Sequence, residues 1–192
     1  MTDLTDLQTD AHENAQRSRE AAESGDPMTL RVTLSIAVMA VIAASIGALG
    51  ETEASHTFVE KNDAVLSQAK ASDTWAAYQA ESIKRHIYDV GSAMSAQPDT
   101  IARLKGEADK YAKEQPETQE HAKQLEAEVT AYNEKAETHF ARHHILTIAE
   151  GLVHVAVAGA SIALLARRPV IWFTALALTA VGMVVAGAAY LI

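Results

Sequence analysis

The chain contains no cysteine, which excludes a disulfide framework, a thiolate nucleophile and any zinc or iron–sulfur site built on thiolates. Aromatic residues make up only 5% of it. That is little for a large globular core, whereas abundant alanine suits helices that pack closely through small side chains. Basic residues are outnumbered too: 16 Lys and Arg stand against 25 Asp and Glu, a formal charge of −9. No basic patch competes for phosphate, so a nucleic-acid partner is not expected. Catalytic signatures are missing as well, with no Gly-rich phosphate loop, nucleophile elbow, paired-His metalloprotease motif or carboxylate pair set apart by its surroundings. No enzymatic activity, cofactor or metal is expected.

What the 192 residues do contain is three apolar blocks separated by polar sequence. Crossing the hydrocarbon of a bilayer takes roughly 20 residues at about 1.5 Å rise each. Residues 28–50, 145–166 and 170–192 each meet that length, so the expected fold is an all-α membrane protein with three transmembrane helices. Residues 1–27 form an acidic tail, in which Leu4, Leu7 and Ala11 supply one apolar edge. Its composition suits a mobile segment. The first apolar block has a rival reading as a signal peptide, because small residues follow its core near Ala48, Leu49 and Gly50. The long acidic leader and Met1 favour an uncleaved anchor. Within this block Ala40, Ala44 and Ala48, with Ala43 and Gly47, recur at a spacing that lets helix backbones approach. Gly182, Ala186 and Gly187 offer the same in the last block.

Residues 51–144 are polar, poor in Gly and Pro, and free of strand-like alternation. Ile101, Leu104, Ala108, Tyr111, Gln115, Thr118, Ala122, Leu125, Val129, Tyr132, Ala136, His139 and His143 recur at alternating three- and four-residue steps, a heptad seam. Val65, Ala69, Ser72, Ala76, Ile83, Ile87, Val90 and Met94 follow the same rule with one slip near Gln79 and Ala80. Between the two runs, Pro98 forbids helix continuation and Asp99 can cap the next helix. The expected result is a long extramembrane antiparallel helical hairpin between the first and second spans. Pro116 interrupts the second arm, where a kink or short break is expected. The second arm should then pass without a break into the second span. A seam this poor in Leu predicts that more than two helices share it, within or between chains, so homo-oligomers or other membrane subunits are the expected partners beside the lipid bilayer.

Orientation follows from basic residues near the span ends. Arg17, Arg19 and Arg31 lie on the N-terminal side of the first span, Arg31 at its edge, and Arg167 and Arg168 join the second to the third. Three spans put both places on one side, which the positive-inside rule makes the cytoplasm. The hairpin then lies outside, in the periplasm of a Gram-negative cell, with the protein in the inner membrane.

The stretch Gln68–Lys84, reading QAKASDTWAAYQAESIK, resembles a bacterial membrane-protein family known only as the domain-of-unknown-function family numbered 4337. Ala149 and Glu150, then Ala160, Ser161, Ile162 and Ala163, followed by Arg167 and Arg168, are similar to the ending of the same family. The resemblance covers most of the chain after the tail. It implies one membrane helix, a helical soluble segment and two closing membrane helices, and it brings no activity or catalytic residues. His154 departs from the apolar or amide residue expected there. Physically, Lys70, Asp73, Trp75, Tyr78 and Gln79 are rich in directional contacts for a helix, which suits a partner-binding face. Equally, Trp75 and Tyr78 can cover a gap in an Ala-rich seam.

Glu150 and His154 lie four apart inside the second apolar block and so share one helix face. With His143, Thr147 and Ser161 they form nearly one stripe, which can hold a transition metal or carry protons between carboxylate and imidazole. Three ligands on one helix cannot close a coordination shell, however, and the plainer reading is favoured: wet heptad positions, and a carboxylate that accepts a hydrogen bond from a neighbouring helix. Heptad steps from His139 through Leu146 place Glu150 on the seam, facing protein. The expected function is a non-enzymatic membrane scaffold or accessory subunit. The alternative is an oligomeric channel or transporter-like protein with a polar path at Glu150 and His154.

Overall fold

The computed structural model describes residues 27–192 together with Gln16. The expectations for the tail edge at Leu4, Leu7 and Ala11, and for Arg17 and Arg19, lie outside the described residues. Every regular element described is helical: α1 is Pro27–Met94, α2 is Pro98–Ala166, α3 is Pro169–Ala188, and a single 3-10 turn, Ala189–Leu191, follows. Each of the three helices is long and apolar enough over part of its length to cross a membrane.

Proline begins all three helices, at Pro27, Pro98 and Pro169. There its fixed φ is already helical and its missing N–H is not needed. Before α2 the capping position falls to Gln97 and not to Asp99. The Gln97 carbonyl accepts the Ile101 N–H at 3.0 Å, and its side-chain oxygen accepts the Thr100 hydroxyl at 3.2 Å. Asp99 sits in the first turn, where a negative charge favours the helix dipole. The helix runs through Pro116 without interruption. Cross-arm bonds pin the turns on both sides of it: Arg85 Nη1 donates to Gln115 Oε1 at 3.3 Å, and the Thr118 hydroxyl donates to Glu81 Oε1 at 3.1 Å.

The chain forms two compact units, one ending at His56 and resuming with Thr138–Ile192, the other Thr57–Glu137. The first unit packs three helices. Val32, Ile36, Met39, Ala43 and Ile46 of α1 meet Leu146, Ala149, Val153, Ala156 and Ala160 of α2 in one buried cluster with Ala175 of α3. Both long lists step by three and four residues, the spacing that keeps one seam facing its neighbours. Val153 lies against Gly182 of α3, and a Cβ built there would stand 2.8 Å from Val153 Cγ2 and 3.2 Å from the Ala149 carbonyl oxygen. The Trp172 indole ties α3 to α1 by donating to Ser35 Oγ at 2.9 Å. Of the small residues expected to pack in α1, Ala43 is buried and Gly47 half-buried, whereas Ala44 and Ala48 face outward. Arg167 closes α2 at φ 48°, a left-handed position that glycine usually takes, while the Arg168 N–H reaches the Ala163 carbonyl at 3.3 Å.

In the second unit the two arms run antiparallel. Lys61 Nζ donates to Asn133 at 2.8 Å, Trp75 Nε1 to Glu126 at 2.8 Å, and the rings of Tyr88 and Tyr111 stack at 5.9 Å. All the second-arm seam residues from Ile101 to Ala136 are buried or half-buried, as their spacing predicts. The first arm reverses expectation. Val65, Ala69, Ser72, Ala76, Ile83, Ile87, Val90 and Met94 all point outward, and the inward side is Ala64, Ser67, Ala71, Tyr78, Glu81, Tyr88 and Ser92. Short side chains at Ala64, Ser67 and Ala71 admit the opposing arm closely, while Ser67 and Glu81 supply cross-arm polar contacts.

Candidate functional site

Where α1 and α2 pass each other in the three-helix unit, their polar residues meet rung by rung. Three-residue steps along α1 bring Gly47, Gly50 and Glu53 to one side. Steps of four and seven residues along α2 bring His139, His143 and Glu150 to face them in the opposite order. The deepest rung is Glu53, 7% exposed, whose Oε2 lies 2.6 Å from His139 Nδ1. The His56 ring stacks on His139 with centroids 5.0 Å apart. A buried carboxylate needs partners to offset its lost hydration, and this imidazole is one of them.

One turn along, His143 Nδ1 donates to the Gly50 carbonyl at 2.9 Å. The bond uses the second lone pair of a helix carbonyl, and a Cβ at Gly50 would meet His143 Nδ1 at 3.7 Å, an ordinary contact. The His143 carbonyl in turn accepts the Thr147 hydroxyl at 2.9 Å, so Thr147, exposed, spends its donor within its own helix. The next rung is Glu150. Its carboxylate lies in the notch left by Gly47, where a Cβ would come within 2.6 Å of Oε1. His154 Nε2 approaches the same oxygen at 3.4 Å, a long contact, and the imidazole is 63% exposed on the side of the unit.

The structure therefore joins Glu150 with His154 and bonds His143 of α2 to Gly50 of α1, but it does not gather His143, Thr147, Glu150 and His154 into one cavity. Among the described residues, no group of three or more His, Asp or Glu side chains is arranged to hold a metal. Sequence reasoning passed over Glu53, His56 and Gly50. Their signal was the three-residue spacing of Gly47, Gly50 and Glu53 opposite a histidine-rich helix.

The other candidate surface divides in two. Trp75 and Tyr78 are half-buried against the second arm, Trp75 bonding Glu126 and meeting Tyr78 edge-on at 5.5 Å. Lys70, Asp73 and Gln79 stay exposed on the outer side. The aromatic pair thus clasps the hairpin, and only the three polar residues remain for a partner.

The fold and site together define an all-helical protein with three apolar helices, two long polar arms, and a carboxylate–imidazole ladder within the three-helix unit. The chain belongs to the family described as domain of unknown function DUF4337, whose model matches residues 28–192. No curated protein and no solved structure is significantly similar to it.

Proposed function

We propose that this chain is a multi-pass protein of the bacterial inner membrane, acting as a non-enzymatic scaffold or accessory subunit that oligomerises or joins a larger membrane complex. The observation that carries the reading is the outer surface of the three-helix unit. Leu34, Val38, Val41, Val155, Ile162, Phe173 and Val184 all lie exposed on it. Apolar surface on every helix is an aggregation hazard in water and a match for hydrocarbon in a bilayer. With Arg31, Arg167 and Arg168 on the cytoplasmic side, the hairpin lies in the periplasm. Trp172 and Tyr190 then sit near opposite interfaces, where amphipathic rings are favoured.

Purification in mild detergent followed by mass measurement tests this reading. An oligomer or a co-purifying membrane subunit is the expected result, and a strict monomer that holds no partner would overturn it. A second reading, a channel or transporter-like path, is favoured by the exposed imidazole of His154 beside Glu150, because polar groups inside a span commonly mark ion pathways. Proteoliposome flux that survives unchanged in Glu150→Gln would sink the path. Under the scaffold reading, Glu150→Leu still inserts but weakens assembly, since it removes a contact between helices.

A further inference from the structure

The outer face of the first arm is more apolar than the face it turns to its own hairpin. Phe58, Val65, Ile83, Ile87, Val90 and Met94, between 46% and 82% exposed, fall on one line with Ala69, Ser72, Ala76 and Ala80. At about 100° per residue this line stays on one side of the helix from end to end, opposite the side that packs. Near the tip it borders a groove lined by Ile83, Ile87, Val90 and Met94 with His86 and Gly91. The arm thus carries two seams, and the hairpin covers only the more polar one.

We propose that the uncovered seam pairs with the same seam of a second copy, in parallel and in register, making the first arms a two-stranded coiled coil. The proposal rests on the membrane-scaffold reading. In each copy the first arm follows the apolar part of α1 and is anchored at its N-terminal end, so a symmetric pair that keeps both anchored ends together is parallel. Four observations select this occupant. Heptad steps, with one four-residue stutter at Ala76–Ala80, are what a helix partner reads. The second arm between Pro98 and Glu137 exposes no large hydrophobic among the described residues, so a neighbour's second arm has nothing to offer and first arm must meet first arm. Fifteen acidic against ten basic residues between 57 and 137 disfavour an anionic lipid surface, which calls for a basic flank. In-register pairing also sets Asp73 of one copy near Gln68 of the other and Lys84 near Gln79, so no like charges face each other across the seam.

The size fits as well. Six side chains of this kind, with Val59 and Leu66 on the border, each offer on the order of 100 Å². Together they come to about 800 Å² per copy, the usual share of a stable interface. The four at the tip alone give about half of that, so the whole arm takes part.

The absence of cysteine makes the test direct. In membranes, Ile87→Cys and Met94→Cys should each form a disulfide-linked dimer with itself on mild oxidation, while a mixture of Phe58→Cys and Met94→Cys chains should form no mixed dimer. Mixed dimers without self-linked ones would mean antiparallel arms and overturn the proposal. In mild detergent, the double variant Ile83→Lys with Ile87→Lys should fall in mass from two chains to one with unchanged helicity, because both positions are exposed. If the wild type is oligomeric and the double variant keeps its mass, the seam proposal fails while the scaffold reading stands. The seam proposal fails in the same way if the wild type is a single copy bound to a different subunit. A lone monomer without partner removes both.

Discussion

Gly182 offers the sharpest test of how the three-helix unit is packed. Replacing it with alanine adds one methyl group at a point where Val153 Cγ2 would be 2.8 Å away and the Ala149 carbonyl oxygen 3.2 Å away. Both distances are shorter than ordinary contact. Neither neighbour yields easily, since Val153 is fully buried with a stiff β-branched side chain, and the carbonyl belongs to the α2 backbone. Overpacking of this kind costs about 1–3 kcal/mol, against which alanine regains about 0.5–1 kcal/mol of helix propensity. The net expectation for Gly182→Ala is a loss of about 1–2 kcal/mol, a five- to thirty-fold fall in the folded ratio. Gly151 is the matched control, because a Cβ there meets nothing within 4 Å. Gly151→Ala should be neutral or stabilising by up to about 1 kcal/mol. Both can be measured by SDS titration of the detergent-solubilised protein, following helical circular dichroism. Adding Val153→Ala to Gly182→Ala should recover part of the loss, with a coupling of about 0.5–3 kcal/mol in a double-mutant cycle. If Gly182→Ala is as stable as Gly151→Ala, the close α2–α3 approach is wrong.

Three further predictions follow from other contacts. Arg167 stands at φ 48°, a conformation costing a non-glycine residue about 1–2 kcal/mol. Arg167→Gly should therefore raise stability by about 0.5–1 kcal/mol in the same titration, and a drop would show that the guanidinium does more than the strain costs. Glu53→Ala removes the buried carboxylate from half-buried His139, and should cost about 1 kcal/mol through the lost hydrogen bond. The His139 ring signals in a carbon–proton NMR spectrum should shift with it, and unshifted signals would contradict the contact. Trp75→Phe keeps the ring but loses the bond to Glu126, so hairpin stability should fall by about 1 kcal/mol or less. Trp75→Phe in a Glu126→Ala background should then add little, and full additivity would argue against the bond.

Helix content, the hairpin and the three apolar blocks were legible because period and length decide them, and both are written along the chain. The second arm was readable to the residue: its apolar stripe is also its packed stripe. The first arm misled because periodicity shows that a face exists without saying what covers it. Val65, Ile83, Ile87 and Val90 outrank Ala64, Ser67 and Ala71 in hydrophobicity, yet close approach of two helices selects the smaller set. The ladder was half legible. Histidines inside or beside an apolar block stand out, as does Glu150, but Glu53 looked like one more charge past the end of the first block. Its burial depends on His139 arriving from 86 residues away, and only the register of the folded pair reveals that.

The two long helices hold 68 residues in α1 and 69 in α2. Adding or removing one residue within such a helix turns everything beyond it by about 100°. An insertion near Lys123 of α2 would swing Leu125 and Ala136 out of the hairpin seam. Changes of chain length are therefore tolerated between the helices, at 95–97 and at Arg167 and Arg168. Within an arm they come in steps that keep the seam on one side, seven residues or a four-residue stutter, matched in both arms. Over evolutionary time, such a protein lengthens or shortens its arms by heptads or by stutters like the one at Ala76–Ala80.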